Sequence, residues 1–277
     1  MSAKSTESAD ASAAPNASAD AALDFVRDGM KIGLGTGRAA TAFVEALGRH
    51  VAAGLRVTGV PTSEATAALA RRLEIPLARL DEVPRLDITF DGADEVDPAL
   101  DLIKGYGAAM VREKVVALSS DQLVILVGPE KLVGKLGERG RLPIEVLPFG
   151  VALVRRELVR LGLESELRRD AQGGTLVTDN GNWILDTRFP AGIDDPAGME
   201  KAIDDVPGVH DAWAASSMFT LADLALRDGD DATAAAWLRA GIARSPDEPG
   251  AALASKRNAV AKLAALTAKR RARGAAP

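Results

Sequence analysis

The chain has 277 residues, enough for one large domain or two smaller ones. Hydrophobic residues make up 47% and charged residues 26%, as in ordinary globular proteins, and a net charge of −5 gives no reason to expect nucleic acid as the main partner. The absence of cysteine excludes disulfides, iron–sulfur clusters and thiolate nucleophiles, and a count of two histidines argues against a histidine-rich zinc site.

The first twenty residues are rich in alanine and serine and contain no hydrophobic stretch. They predict a disordered leader over residues 1–20 and not a secretory signal. No apolar run approaches the length of a membrane span. We therefore expect a soluble, cytoplasmic protein.

From residue 21 the pattern alternates between helices and strands. Predicted helices cover the segments "AALDFVRDG", which ends at Gly29, "AATAFVEALGRHVAAG", "SEATAALARRLEI" with Ser63 as its N-cap, and "AAMVREKVVALSS". Predicted strands cover "KIGLG", "LRVTGV", "RLDITFDGAD" and "QLVILVG". Nearly continuous apolar strands that alternate with helices indicate an α/β fold with a doubly wound, mostly parallel, Rossmann-like sheet. We assign residues 21–137 and about 210–228 to this catalytic domain.

The pattern changes after residue 137. A predicted helix, "VALVRRELVRLG", is followed by weaker strands around "LRRD", "GTLVTDNG" and "NWILDTRF", and Asp195-Pro196 opens another helix. This order indicates a smaller inserted α+β domain over residues 138–209. The segment "FTLADLALRDGDD" is expected to return as a strand to the main sheet. Residues 229–277 are expected to form a helical, basic extension, for which a solvated helix or frayed end is favoured over weak anion binding.

The loop "GLGTGRAAT" lies between a predicted strand and a predicted helix. Its glycines let the backbone approach a ligand, and the helix N-terminus offers free N–H groups to an anion. The third glycine, Gly37, comes one residue too early for a dinucleotide fingerprint, and no Gly-Lys-Ser/Thr follows for a Walker loop. The loop therefore indicates a phosphate or carboxylate site, with a tight turn that binds nothing as the alternative.

The stretch "TFDGADEVDP" places four carboxylates at the end of a predicted strand, where ligands collect in open α/β sheets. The spacing is wrong for a calcium loop, whereas a magnesium site, which needs fewer carboxylates, stays open. A solvated, helix-capping turn is the structural alternative. Gly92 and Ala93 leave Asp91 and Asp94 open to a ligand, while Glu95 and Asp97 are expected to be structural or solvent-facing.

Two further segments carry charged residues, one directly after the acidic stretch and one after another predicted strand. "LIKGYGAAMVREK" carries Lys104 in a glycine-bearing turn and Glu113 and Lys114 on the next helix, where an exposed charged face is the ordinary meaning of "REK". "GPEKLVGKLG" adds Lys131. Three strand ends thus bring an anion-binding loop, two aspartates and two lysines to one edge of a sheet. This combination suits a small anionic sugar or acid, with carboxylates left for proton transfer.

Taken together, these residues resemble the ribose-5-phosphate isomerases of type A. The resemblance runs from about residue 21 to residue 208 and rests on six segments in order: "GLGTG", "PTSEAT", "DITFDGADEVDP", "LIKGYGAAMVREK", "LPIEVLPFG" and "TDNGNWILD". It implies interconversion of ribose 5-phosphate and ribulose 5-phosphate through an enediolate, in the non-oxidative pentose phosphate pathway, without a cofactor and with carboxylates that handle protons and hydroxyls and no metal.

The resemblance also implies the roles of individual residues. Glu113 would be the general base between C2 and C1, Lys104 would stabilise the enediolate oxygen, and Asp91 and Asp94 would bind sugar hydroxyls and assist ring opening and proton transfer between oxygens. The remaining residues expected to bind substrate are Thr36, Gly37, Arg38, Ala39, Gly92, Ala93, Gly105, Tyr106, Gly107 and Lys131. Of these, the loop at 36–39 and Lys131 would hold the phosphate end or the oxygens beside it.

The sequence departs from the family pattern at three places. Thr36-Gly37-Arg38-Ala39 replaces a frequent Thr-Gly-Ser-Thr, so that two hydroxyl donors are lost and Arg38 either replaces them or points to solvent. A substrate-contacting lysine of the N-terminal helix is absent, because that position falls near Pro15. "HDAWAASSMFT" stands where relatives usually have a Gly-Leu-Phe segment.

The expected partner is a phosphosugar substrate, with no nucleic acid and no membrane. Family members are dimers or tetramers, so a homodimer or homotetramer is expected. Two alternatives stay open at this point. One is an isomerase of another phosphosugar, suggested by Arg38 and Ala39. The other is a non-catalytic sugar-phosphate sensor on the same fold, which would need neither Glu113 nor turnover.

Overall fold

A computed structural model describes residues 19–20 and 22–212 of the chain. The predicted leader up to residue 18, the returning strand at 219–231 and the basic extension at 229–277 lie outside these described residues. Along the part that is described, no helix is both long and apolar enough to cross a membrane.

The secondary structure follows the predicted alternation, with additional strands. The helices are α1 (Arg38–Ala52), α2 (Glu64–Arg72), α3 (Met110–Leu118), α4 (Val151–Arg160) and α5 (Pro196–Asp204). The strands are β1 (Lys31–Leu34), β2 (Thr58–Pro61), β3 (Ile88–Gly92), β4 (Glu95–Val96), β5 (Leu102–Ile103), β6 (Leu123–Leu126), β7 (Arg141–Val146), β8 (Ser165–Leu167), β9 (Trp183–Arg188) and β10 (Val209–Ala212).

The main sheet is parallel and has the strand order β2-β1-β3-β6. Its strands are almost wholly buried because helices cover them, which explains the continuous apolar runs of the sequence. The stacked rings of Phe43 from α1 and Phe90 from β3, with centroids 4.1 Å apart, lie in the core between sheet and helix. The predicted α/β sheet is confirmed, and so is Ser63 as the N-cap of α2, since its hydroxyl accepts from the Thr66 N–H.

The first predicted helix is shorter than expected. Residues 19–20 and 22–23 are helical, but the chain leaves the helix well before Gly29. The reason is a tertiary contact. Asp28 accepts hydrogen bonds from the backbone N–H and the side chain of Arg56, and the Gly29 N–H donates to the Arg56 carbonyl. These contacts fix a turn before β1 that helix propensity could not reveal.

A second sheet is antiparallel and has the order β10-β7-β9-β8. The predicted strand in "NWILDTRF" and the helix opened by Asp195 are confirmed as β9 and α5, and the Asp195 carboxylate caps α5 at the Gly198 N–H. The sequence did not predict β7, since Pro143 inside a strand has no N–H to donate. The strand expected in "GTLVTDNG" was wrong. The segment forms only an isolated bridge, between Arg169 and Thr175, because a turn held by Asp170 precedes it and a turn held by the Thr178 hydroxyl ends it. The domain boundaries given above stay predictions.

A two-stranded ribbon, β4 with β5, follows β3 and was not predicted. It turns the chain back on itself so that Lys104, ten residues after Asp94, returns to the end of β3. Asp97 closes the turn by accepting from the N–H groups of Ala99 and Asp101. Glu95 is buried and accepts from the N–H groups of Gly137 and Arg139. The expected structural role of Glu95 and Asp97 is therefore confirmed.

Candidate active site

A cavity of about 620 Å³ lies where β1, β3 and β6 end. Of the predicted site residues, Asp91 alone does not line it; the lining includes Thr36, Gly37, Arg38, Ala39, Gly92, Ala93, Asp94, Lys104, Gly105, Tyr106, Gly107, Glu113 and Lys131. The parallel topology accounts for this convergence, because the carboxyl ends of neighbouring strands meet at one edge of the sheet.

Lys104 is the centre of the charged cluster and is 2% exposed. Its Nζ lies 2.8 Å from Asp91 Oδ2 and 3.0 Å from Glu113 Oε2, and it donates to the Gly92 carbonyl at 2.7 Å. Burial by itself would lower the pKa of Lys104, but the adjacent carboxylates outweigh burial and raise it above its ordinary value. Lys104 is therefore a fixed cation at the cavity wall.

Asp91 lies behind Lys104 and is 1% exposed. Besides Lys104, it accepts at Oδ1 from the backbone N–H groups of Thr36, at 3.1 Å, and of Gly92, at 2.8 Å. The β1 loop passes so close that a Cβ on Gly35 would lie 2.3 Å from Asp91 Oδ1, so glycine is required there. Asp91 thus connects the loop after β1 to Lys104.

Glu113 lies in the first turn of α3 and is 2% exposed. Burial raises the pKa of its carboxyl well above the usual range of glutamate, the charge of Asp91 adds to the rise, and Lys104 opposes it. A carboxyl of this kind exchanges protons near neutral pH, as a general base must. The "REK" triplet is thus not simply an exposed charged face.

Asp94 also lines the cavity. Its Oδ2 accepts from the Tyr106 N–H at 2.9 Å, and its Oδ1 lies 4.0 Å from Lys131 Nζ. Burial raises the pKa of Asp94, while the Tyr106 N–H and the charges of Lys104 and Lys131 oppose the rise. Asp94 and Lys131 form a second, more exposed pair of charges at the cavity.

The loop after β1 lines one end of the cavity. Gly37, with φ 105°, precedes α1 as an N-cap without a side-chain cap, so the first N–H groups of the helix have no side-chain acceptor. The Thr36 hydroxyl is directed into a cluster of hydroxyls, bonding Thr62 at 2.8 Å and Ser63 at 2.9 Å. The hydroxyl contacts within "PTSEAT" thus hold the loop, and Arg38 brings a cation to its edge.

The sequence did not single out four lining residues: Leu126, Val127, Gly128 and Glu130. They follow β6 at the edge that receives the other loops. Glu130 directly precedes Lys131 in "GPEK", and this position beside a predicted site residue is the one signal in the sequence that could have indicated it. Because ligands bind at the carboxyl ends of parallel strands, the loop after β6 is expected to line the site. This expectation does not say which residues of the loop face the cavity.

Glu113 also makes folding stability depend on pH. Because its pKa is higher in the folded protein than in the unfolded chain, its stabilising contribution is complete below the unfolded pKa and is lost as pH rises through the folded pKa. Glu113→Gln cannot ionise, so we expect its melting temperature, relative to the parent, to rise progressively from mildly acidic to mildly alkaline buffer. Differential scanning fluorimetry of both proteins measures this. A constant difference across pH would show that the Glu113 pKa is not raised.

The fold and the site together define an α/β enzyme that binds a small anionic substrate and transfers protons on it. Residues 58–224 match the family described as ribose 5-phosphate isomerase A (phosphoriboisomerase A). The chain belongs to this family.

Individual relatives agree with this assignment. Ribose-5-phosphate isomerase A of Roseiflexus sp. (strain RS-1) is 50% identical over 213 residues, which are 76% of this chain and 91% of that protein. The solved ribose 5-phosphate isomerase A of Methanocaldococcus jannaschii superimposes with a TM-score of 0.70 at 41% identity, covering 73% of this chain and 90% of the other. A solved D-ribose-5-phosphate isomerase in complex with phospho-erythronic acid gives 0.74 at 38% identity, covering 78% and 95%.

Proposed function

We propose that this chain interconverts D-ribose 5-phosphate and D-ribulose 5-phosphate through an enediolate, in the non-oxidative pentose phosphate pathway. The observation that carries the proposal is the buried Glu113 carboxyl beside the Lys104 cation in the cavity wall. Membership of the isomerase family supports the same reaction. A sugar-phosphate sensor would not need a base, so the presence of Glu113 also favours an enzyme.

In the proposed reaction, Glu113 removes the proton from C2 of the open-chain aldose and returns it to C1. The electron pair of the broken C2–H bond forms the C1–C2 double bond, and the C1 carbonyl oxygen takes up negative charge. Lys104, held between two carboxylates, stabilises that charge without needing to reorient. Asp94 carries the C2 hydroxyl proton to the C1 oxygen, which turns the C1 oxyanion into a hydroxyl and leaves the negative charge on the C2 oxygen. The C2 oxygen then forms the ketose carbonyl, while the electron pair of the C1–C2 double bond takes up the proton that Glu113 returns to C1.

Asp94 is the carboxylate placed to contact sugar hydroxyls, to assist ring opening and to move the oxygen-bound protons, since it lines the cavity. Asp91 was expected to share this role. Its burial and its three protein donors support a different assignment, in which Asp91 fixes Lys104 and the loop after β1. Of the two aspartates of "DGADE", Asp94 thus acts inside the cavity, and Asp91 acts from behind the residues that line it.

The phosphate end is assigned to the first turn of α1, with Arg38 and Lys131. The uncapped N–H groups of α1 and the two side-chain cations all line the cavity. Arg38 supplies a positive charge in the loop where two hydroxyl donors of the family pattern are absent. A phosphate at a helix N-terminus next to a guanidinium is a stable arrangement.

Arg38→Ala tests the phosphate end. Hydrogen bonds to charged groups contribute about 1.5–3 kcal/mol, so we expect KM for ribose 5-phosphate to rise roughly tenfold or more with a smaller change in kcat. Initial rates over a range of substrate concentrations measure both. Arg72→Ala, at the exposed end of α2, is the matched control and should change neither. An unchanged KM in Arg38→Ala would place Arg38 in solvent.

The function itself is tested with purified protein, ribose 5-phosphate and EDTA, following ribulose 5-phosphate over time. We expect rapid turnover that EDTA does not inhibit. Parallel assays with other aldose phosphates test the alternative substrate suggested by Arg38 and Ala39. Turnover of another phosphosugar alone would replace the proposed substrate, and binding of ribose 5-phosphate without turnover of any sugar would favour a sensor.

We also propose a cytoplasmic homodimer or homotetramer, as expected from the family, and the domain division given above. Light scattering after gel filtration measures the number of subunits. A monomer at assay concentration with full activity would contradict the oligomeric proposal.

A further inference from the structure

Arg168 follows β8 and does not line the cavity, yet its side chain is buried, with the residue only 8% exposed. Asp186 of β9 holds the guanidinium: Nε donates to both carboxylate oxygens, at 3.2 and 3.0 Å, and Nη2 donates to Oδ1. A planar guanidinium held in this way points its remaining N–H groups in a fixed direction.

The remaining nitrogen reaches the cavity wall. Arg168 Nη1 donates to the carbonyl oxygens of Gly105, at 3.2 Å, and Tyr106, at 3.1 Å. Both carbonyls belong to the turn that carries Lys104 and lines the cavity. This turn includes left-handed backbone, with φ 111° at Gly105 and φ 63° at Ala108. A non-glycine residue in that region is strained, so the turn depends on contacts from outside it.

One peptide unit connects Arg168 to the site. The carbonyl of the Gly105–Tyr106 peptide accepts from Arg168, and the N–H of the same peptide donates to Asp94 Oδ2 at 2.9 Å. A cation on the carbonyl oxygen polarises the amide and strengthens its N–H as a donor. It also fixes the plane of the peptide, and therefore the direction from which Asp94 is held.

We propose that Arg168 is a positioning residue that orients the Asp94 carboxylate, and the turn following Lys104, toward the reacting end of the substrate. The inference rests on the proposed isomerase function. The phosphate end of the cavity is built from α1 and Lys131 and makes no described contact with Arg168. Asp94 Oδ1 lies 4.0 Å from Lys131 Nζ, so the role concerns mainly the sugar end and reaches the phosphate end only through that pair.

Arg168→Ala and Arg168→Lys test this role, with the adjacent, exposed Arg169→Ala as matched control. Lysine keeps the charge but loses the fork that holds Asp186 and the two carbonyls together. Each protein is assayed for ribose 5-phosphate turnover and titrated calorimetrically with phospho-erythronic acid and with inorganic phosphate. A displacement of about 1 Å at a reacting group costs on the order of 100-fold in rate, so kcat should fall by that order in Arg168→Ala.

The affinities for the two ligands distinguish a positioning role of Arg168 from a general loss of structure in the variant. We expect affinity for phospho-erythronic acid to fall together with kcat, while affinity for inorganic phosphate falls much less, since Arg168 reaches Lys131 only through Asp94. Arg168→Lys should show the same split, and it provides the measurement if the alanine variant does not fold. A kcat equal to that of Arg169→Ala, or parallel losses of both ligands, would overturn the proposal.

Failure of the proposed function has a different signature. A parent protein without turnover would refute the isomerase activity, whatever Arg168 does. The two titrations need no turnover, so the difference between phospho-erythronic acid and inorganic phosphate still decides the role of Arg168.

Discussion

Glu113→Gln is expected to reduce kcat for ribose 5-phosphate by roughly 10²–10⁴-fold, the range typical of a lost general base. Glutamine keeps the shape of the side chain and leaves Lys104 paired with Asp91 at 2.8 Å. The cavity and its phosphate end therefore stay assembled, and KM should change much less than kcat. Steady-state kinetics measures both constants, and calorimetry with phospho-erythronic acid measures binding independently.

Glu45→Gln is the matched control, because Glu45 is an exposed glutamate on α1. It undergoes the same chemical change away from the cavity and should behave as the parent. Turnover of Glu113→Gln close to that of Glu45→Gln would remove Glu113 from the role of base. A loss of ligand binding equal to the loss of kcat would mean that the substitution had damaged the cavity instead.

Lys104→Met should reduce both activity and stability strongly. Methionine fills similar space but leaves the buried carboxylates of Asp91 and Glu113 without their cation. Removing one partner of a buried ion pair costs about 3–5 kcal/mol, and we expect a loss of that order in the free energy of unfolding near neutral pH. Catalysis should fall as well, because no cation then faces the enediolate oxygen.

The stability loss in Lys104→Met should depend on pH. Lys104 opposes the rise in the folded-state pKa of Glu113, so without the lysine that pKa rises further; stability is retained while Glu113 is protonated and is lost as pH increases. Denaturant titrations in mildly acidic and mildly alkaline buffers measure this difference. The double variant Lys104→Met/Glu113→Gln should regain part of the stability and none of the activity. Equal losses at both pH values would point to altered packing and not to unpaired charge.

The sequence predicts much of the fold because local and tertiary signals agree along the main sheet. The strands are predicted by short apolar runs, and two helix starts are predicted by Ser63 and by Asp195-Pro196. Each of these signals involves residues only a few positions apart. The strand-end rule then places residues from distant segments, such as Arg38 and Lys131, in one cavity. Topology supplies this convergence without knowledge of any individual contact.

Other features depend on contacts that no local pattern encodes. Asp91 and Asp94 are three residues apart in an apparently open turn. Asp91 is nevertheless enclosed by donors while Asp94 faces the cavity, because the unpredicted ribbon brings Lys104 back to Asp91. The Arg56 contact that shortens the first helix spans 28 residues, and the Arg168 contacts with Gly105 and Tyr106 span 63 and 62. Such contacts depend on how distant segments pack in three dimensions, so a local sequence pattern does not predict them.

Three consecutive residues of helix α3 face three different parts of the protein. Arg112 donates to Asn180 in the turn before β9, Glu113 faces the cavity, and Lys114 lies 2.8 Å from both Glu200 of α5 and the buried Asp211 of β10. The contacts on either side of Glu113 thus join segments 68 to 97 residues apart. Such distant contacts form late when a chain folds from local structure, since long loops must close first. During refolding, catalytic activity would therefore report the last stage of assembly, after most helical structure has already returned.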